Sequence, residues 1–138
     1  MTFHIESTYD NPQSVVELIK SHNMKAGIAL KPDTMVDPVL TGLLDSDVLD
    51  MVLVMTVNPG FGGQGFIEEP PMSKIQELRK AYPNVLIQVD GGVNADNATT
   101  CVNAGCDCIV AGTAIFKAED RESTISTMRA TLDEKYNS

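Results

Sequence analysis

The sequence predicts an α/β fold built on a parallel sheet, and three observations predict it. Short apolar runs rich in Val and Ile alternate with longer amphipathic runs along the whole chain. The short runs are nearly continuous in apolarity, as parallel strands covered on both faces are. The composition is globular, with 138 residues of which 43% are hydrophobic and 21% charged, and no segment is low in complexity. A chain of roughly 150 residues buries about two-thirds of the surface its unfolded form exposes, so one domain over residues 1–138 is expected.

The elements follow in order. Residues 2–6 form the first expected strand, and the helix over 14–21 sets Val15, Leu18 and Ile19 on one face after Asn11-Pro12, a cap followed by a first-turn proline. A strand over 26–30 and a helix over 34–44 come next, then a strand over 51–55. Pro70-Pro71 introduce a helix over 72–81 with Ile75 and Leu78 on its apolar face, and a strand follows over 85–89. The helix over 96–104 runs into Gly105, a natural C-terminal stop. The last strand covers 108–111, and the last helix covers 122–136 with Ile125, Met128 and Leu132 at helical spacing. Five βα units imply a parallel sheet with right-handed crossovers. Two architectures satisfy this, an open doubly wound sheet or part of a (β/α)8 barrel, and both place chemistry at the carboxyl ends of the strands.

Charge narrows the partners. Ten Lys and Arg against 19 Asp and Glu give a net charge of −9, and the cations are dispersed, so neither nucleic acid nor a membrane surface is an expected partner. The longest apolar stretch, over 48–57 and broken by Asp50, is too short to span a bilayer. The N-terminus lacks a basic region followed by an apolar run, so a cytoplasmic location is expected. Cys101, Cys106 and Cys108 are odd in number and lack paired CxxC spacing, which makes them reduced packing residues rather than a zinc site.

Three strand exits carry chemistry. After the third strand, Gly60, Gly62, Gly63 and Gly65 leave the backbone bare, suited to a mobile lid or to close approach of N–H groups to an oxyanion. Gly60, Gly62 and Gly65 match GxGxxG, but the next helix waits for Pro70-Pro71 instead of opening directly, and Phe66-Ile67 stand where a Walker loop needs Lys and Ser or Thr. After the fourth strand come Asp90, Gly91 and Gly92. Asp90 stands where a catalytic acid, base or metal ligand is found, or else it forms an ordinary Asp-Gly turn. After the fifth strand, Gly112-Thr113 open a short helical turn. N–H groups at such turns can hold a phosphate even on an acidic chain. His4 and Glu6 flank Ile5 and read as a hydrogen-bonded pair, with a site role as the alternative, while His22 sits in a helix-to-strand turn and receives no role.

Taken together, Met55-Thr56-Val57-Asn58-Pro59-Gly60-Phe61-Gly62-Gly63-Gln64, Val89-Asp90-Gly91-Gly92-Val93 and Val110-Ala111-Gly112-Thr113-Ala114-Ile115-Phe116 closely resemble the D-ribulose-5-phosphate 3-epimerase family in order and spacing. Thr2-Phe3-His4-Ile5-Glu6 and Ala29-Leu30-Lys31-Pro32 fit its preceding strands, so the resemblance covers essentially the whole chain. It implies a (β/α)8 TIM barrel and interconversion of D-ribulose 5-phosphate and D-xylulose 5-phosphate in the pentose phosphate pathway. It also implies one divalent metal ion per site, zinc, iron, manganese or cobalt. On this resemblance Asp90 is both metal ligand and one of two acid/base residues. Gly60, Phe61, Gly62, Gly63, Gly91, Gly92, Gly112 and Thr113 bind the sugar phosphate, and Met55 lines the pocket. The metal is then expected to polarise the C2 ketone while a carboxylate removes the C3 proton and a second acid returns it on the opposite face.

The sequence departs from that family at its start. It opens at what corresponds to strand 4 of the barrel, so the first three βα units are absent from these residues. With them go a serine, a His-x-Asp ligand pair and a further histidine ligand. An incomplete barrel of strands 4 to 8 is therefore expected, with one of four metal ligands and little or no turnover from this chain alone. The alternative is a catalytically silent piece that keeps the phosphate half of the site. Open edges at residues 2–6 and 108–111 lead to the further expectation of a homo-oligomer.

Overall fold

Proline and a capping side chain start the first two helices. Asn11 Oδ1 accepts from the N–H of Ser14 at 3.2 Å and Pro12 fills the first turn of α1 (Pro12–Ser21). Asp37 Oδ1 accepts from Val39 and Leu40 N–H at 3.1 and 3.0 Å ahead of α2 (Pro38–Asp45). The helix expected from residue 34 therefore starts four residues later, because a residue before proline is driven out of the helical region. The computed structural model describes residues 1–136. In it, α3 (Pro71–Ala81), α4 (Ala98–Ala104), the short α5 (Thr113–Phe116) and α6 (Arg121–Tyr136) alternate with strands β1 (Thr2–His4), β2 (Gly27–Leu30), β3 (Met51–Met55), β4 (Leu86–Asp90) and β5 (Cys108–Val110).

The sheet settles the choice of architecture. All neighbours are parallel and the spatial order is β1-β2-β3-β4-β5, the order of the chain itself. A doubly wound sheet reverses order at a switch point, whereas consecutive winding is that of a barrel. The structure is a five-stranded portion of such a barrel wall. Ile28, Leu30, Val52, Val54, Ile87 and Val89 are fully buried and pack with Val16 and Ile19 of α1, Leu40 of α2, Ile75 and Leu78 of α3 and Cys101 of α4. Each such side chain contributes about 1.5–3 kcal/mol by leaving water.

The expectation that the strands are covered on both faces is not met. Along β3 and β4 every second residue lies open or half-buried, with Leu86 43% exposed on the face that a closed barrel turns inward. Val110 of β5 is 38% exposed. Among the described strands only β2 is buried throughout; its inward residues are Gly27 and Ala29, and a Cβ on Gly27 would lie 2.6 Å from Thr2 Oγ1 and 3.1 Å from Met51 Cε. The outer side of β1 and that of β5 have no strand partner among the described residues.

Other expectations shift by a turn. The first strand stops at His4, and Ile5–Ser7 form a 3-10 turn. There Glu6 Oε2 meets His4 Nδ1 at 3.1 Å, while Glu6 Oε1 accepts from the N–H of Lys31 at 2.8 Å and from the Thr34 hydroxyl. Burial pushes the Glu6 carboxyl up, but the bonds from Thr34, Lys31 and His4 outweigh it and hold its pKa below the usual value. The α1 core face is Pro12, Val16 and Ile19, which leaves Leu18 outward, and α6 buries Met128 while Ile125 stays exposed. Cys101 and Cys106 are free and buried, and burial pushes their thiols up to about 11 and about 12.

At the amino ends of the strands, Asp107 takes Arg79 Nη2, Lys135 Nζ at 2.7 Å and the Ile87 N–H at 2.8 Å. Arg79 also donates to the carbonyls of Gly105 and Val85, both at 3.0 Å. This network joins α3, the entries to β4 and β5, and α6. At the carboxyl ends, Lys74 of α3 is 4% exposed and its Nζ donates to the carbonyls of Lys31 and Pro32 at 2.8 and 2.9 Å. Burial pulls its pKa from 10.5 down to about 8, against the pull of Glu6 and Asp33.

Two outcomes are expected. Sedimentation of the 138-residue chain at micromolar concentration should show dimers or larger species, because open edges and a half-open apolar face favour self-pairing. A monodisperse monomer that unfolds cooperatively contradicts this. Between about pH 8 and 10.5 the unfolded chain holds the Lys74 proton and the folded chain does not, so this site adds stability as pH rises. Urea unfolding should show the parent gaining on Lys74→Met across that window, and a pH-independent difference between the two contradicts the account.

Candidate functional site

The parallel register places three strand ends on one rung, with Met55 of β3 opposite Asp90 of β4 and Asp90 opposite Val110 of β5. Above that rung lies a cleft of about 630 Å³, within the usual range for a small ligand. Met55, Gly60, Phe61, Gly62, Gly63, Asp90, Gly91, Gly92, Gly112 and Thr113 all line it. Every site residue read from the sequence therefore faces one cavity, while Glu6, His4 and His22 lie outside its lining.

Asp90 is the last residue of β4 and half-buried. Its carboxyl group makes no hydrogen bond among the described residues, and burial alone pushes its pKa up. A carboxyl group in a cleft with a raised pKa is suited to taking and returning a proton.

The turn after Asp90 needs glycine twice. Gly91 has φ +126° and a Cβ there would lie 2.5 Å from Val57 Cγ2 and 2.9 Å from the Val57 nitrogen. Gly92 has φ +66°, and a Cβ would meet the Phe66 nitrogen at 2.8 Å. The β4 exit is thus packed directly on the glycine-rich segment that follows β3. That segment is tied by Gln64, whose Nε2 donates to the carbonyls of Asn58 and Phe61 at 2.8 and 2.9 Å, and it carries Phe61, a residue 92% exposed. Across the cleft, Thr113 opens α5, whose leading N–H groups have no intrahelical acceptor. Gly112 there has open space where a Cβ would go.

Sequence reasoning passed over the residues that hold these loops in place. Thr56 is fully buried, its N–H donates to the Asp90 carbonyl at 2.9 Å and its hydroxyl to the Gly91 carbonyl at 2.6 Å. Asn94 Oδ1 accepts from the N–H groups of Asp96 and Asn97, which delays α4 until Ala98, and Asn97 Nδ2 donates to the Gly92 carbonyl at 3.2 Å. The Asn-Ala-Asp-Asn run carries the turn signal for the second pair. A buried threonine after an apolar strand carries none.

The metal implied by the resemblance does not fit the described residues by themselves. Among them no group of three or more His, Cys, Asp or Glu could hold an ion, and Asp90 supplies one ligand at most. The GxGxxG reading also fails on geometry, since α3 begins six residues after Gly65.

Comparison with known proteins identifies the fold and its relatives. Residues 1–116 match the ribulose-phosphate 3 epimerase family. The chain belongs to that family. It is 42% identical over 136 residues to the cytoplasmic isoform of ribulose-phosphate 3-epimerase from rice, covering 99% of this chain and 59% of the relative. It is 46% identical over 137 residues to the ribulose-phosphate 3-epimerase of Eremothecium gossypii, covering 99% and 55%. The chain thus spans little more than half the length of these relatives. A 3-hexulose-6-phosphate synthase from Salmonella typhimurium superposes with TM-score 0.70 at 19% identity, over 97% of this chain and 61% of the synthase. KGPDC from Streptococcus mutans gives 0.65 at 15% identity, over 99% and 61%. Both likenesses speak to the fold. Within this epimerase family member, the glycines of the β4 and β5 exits divide into two kinds: Gly91 and Gly92, whose φ and packing exclude a Cβ, and Gly112, where a Cβ meets open space.

That division is testable. Gly91→Ala should cost about 2 kcal/mol or more in urea unfolding, because it adds a forbidden φ to a clash with Val57. Gly112→Ala should stay within about 0.5 kcal/mol of the parent. Equal effects of the two changes contradict the packing described.

Proposed function

We propose that this chain supplies the phosphate-binding half and one acid/base residue of an epimerase site acting on D-ribulose 5-phosphate and D-xylulose 5-phosphate. The observation that carries the reading is the single cleft in which Asp90, without a hydrogen-bond partner among the described residues and raised in pKa by burial, faces the bare backbones of three consecutive strand exits. Family membership supports the substrate class. A cytoplasmic location belongs to the same proposal, and the rice relative carries that designation.

The residues divide the work by chemistry. N–H groups around Gly91, Gly92, Gly112 and Thr113 bind the phosphate, which compensates for the overall charge of −9 by local dipoles. The segment around Gly60, Phe61, Gly62 and Gly63 covers the sugar, and Met55 packs against its carbon chain. The Asp90 carboxylate takes the C3 proton, and the electron pair of the broken C–H bond moves toward the C2 carbonyl to form an enediolate. Return of the proton by Asp90 restores the starting sugar. Inversion needs a second acid on the opposite face, and the described residues of the cleft offer Asp96 as their other carboxyl group, on the loop before α4 rather than on a strand end.

In deuterium oxide, D-ribulose 5-phosphate incubated with this chain should therefore exchange its C3 hydrogen faster than it converts to D-xylulose 5-phosphate, as followed by proton NMR. Asp90→Asn should abolish exchange and raise the melting temperature, because the folded state no longer holds a carboxylate whose ionisation burial disfavours. Exchange that survives Asp90→Asn sinks the assignment of Asp90. Binding of the sugar phosphate without exchange favours the reading of a binding-only chain.

A further inference from the structure

We infer that Thr56 is the positioning residue of this site, holding both the Asp90 carboxyl and the Gly91-Gly92 turn in place; the inference rests on the sugar-phosphate reading of the cleft. Among the described residues no side chain or N–H group hydrogen-bonds to the Asp90 carboxyl, so its direction is set chiefly by the backbone at the end of β4. That backbone leaves the sheet ladder at Asp90 and passes into two glycines with φ +126° and +66°, where a free chain would sample many conformations. Thr56 holds the two peptide groups that flank Gly91. Its N–H takes the Asp90 carbonyl at 2.9 Å and its hydroxyl takes the Gly91 carbonyl at 2.6 Å. Its own carbonyl accepts the Ile67 N–H at 2.8 Å, so the same residue closes the far end of the glycine-rich segment.

The hydroxyl is the informative group. Thr56 is the first residue beyond β3 and sits at 0% exposure, where valine has the same shape but no hydroxyl. A buried hydroxyl at such a place is costly unless its bond is needed. The Gly91 carbonyl it binds belongs to the turn whose N–H groups are to meet the phosphate. Loss of the hydroxyl leaves that carbonyl without this donor and lets the turn rotate, which misdirects the Gly92 N–H and the Asp90 side chain together.

The test compares the parent chain with Thr56→Val and Thr56→Ser by amide hydrogen exchange and by calorimetric titration with D-ribulose 5-phosphate. In Thr56→Val the amides of residue 56 and Ile67, which donate to the Asp90 and residue 56 carbonyls, should exchange about tenfold faster and the dissociation constant should rise about tenfold, while Ile28 and Leu30 in β2 keep their parental rates. Thr56→Ser should restore both values to within about threefold of the parent. Parental exchange and affinity in Thr56→Val overturn the inference, as does faster exchange spread evenly over the sheet, which marks a merely structural residue. If the parent chain itself does not bind D-ribulose 5-phosphate, the functional reading falls and exchange at residue 56 and Ile67 alone decides the role of Thr56. Should Thr56→Val fail to fold, Thr56→Cys, which keeps the size and weakens the donor, is measured in its place under the same criteria.

Discussion

The parallel register of β3, β4 and β5 is the constraint on which the site depends. It fixes Met55, Asp90 and Val110 on one rung, so three loops leave the sheet at the same height and must share the space above it. The register is in turn fixed by burial. Val52, Val54, Ile87 and Val89 are at 0% exposure under the helices, and a slip of one residue would carry them to the open face and Leu53 and Gln88 into the core. The cost of that slip is several side chains of burial at once, on the order of the whole stability of a domain. The cleft is therefore a consequence of the core rather than an addition to it.

The two ends of the sheet are built for different purposes. At the amino ends, Asp107 is surrounded by Arg79, Lys135 and the Ile87 N–H, and although burial pushes its carboxyl up these partners hold it below the usual range. At the carboxyl ends, Asp90 has no such partners among the described residues and its pKa moves the other way. The same residue type is thus stabilising at one end and poised for proton transfer at the other, and the difference lies in the donors around it. Lys74 and Glu6 show an intermediate case. They clamp the segment after β2 through Lys31, Pro32 and Thr34, and so keep the rim beside the cleft fixed without entering it.

Much of this was legible in the sequence. The five βα units, the proline-led helix starts of α1 and α3, and the placement of Asp90 at a strand end follow from apolar periodicity and turn chemistry, which are local. The glycine-rich segment was legible because few loops concentrate Gly60, Gly62, Gly63 and Gly65 so closely. What stayed hidden is non-local. Nothing near Thr56 in sequence indicates that its hydroxyl meets a carbonyl 35 residues away. Nothing near Leu18 or Ile125 indicates that those apolar residues stay exposed, since helix spacing alone places them with their neighbours. Periodicity alone left barrel and doubly wound sheet open, the loop motifs' resemblance to the epimerase family pointed to the barrel, and the strand order bears it out.

The central claim is that the amides at the exits of β4 and β5 hold the phosphate of a sugar beside Asp90. A crystal structure of the chain with D-ribulose 5-phosphate at saturating concentration tests it most directly. The account predicts phosphate oxygens within hydrogen-bond distance of N–H groups among Gly91, Gly92, Gly112 and Thr113, with C3 of the sugar facing the Asp90 carboxyl. A ligand bound elsewhere, or one whose phosphate points away from these amides, contradicts it.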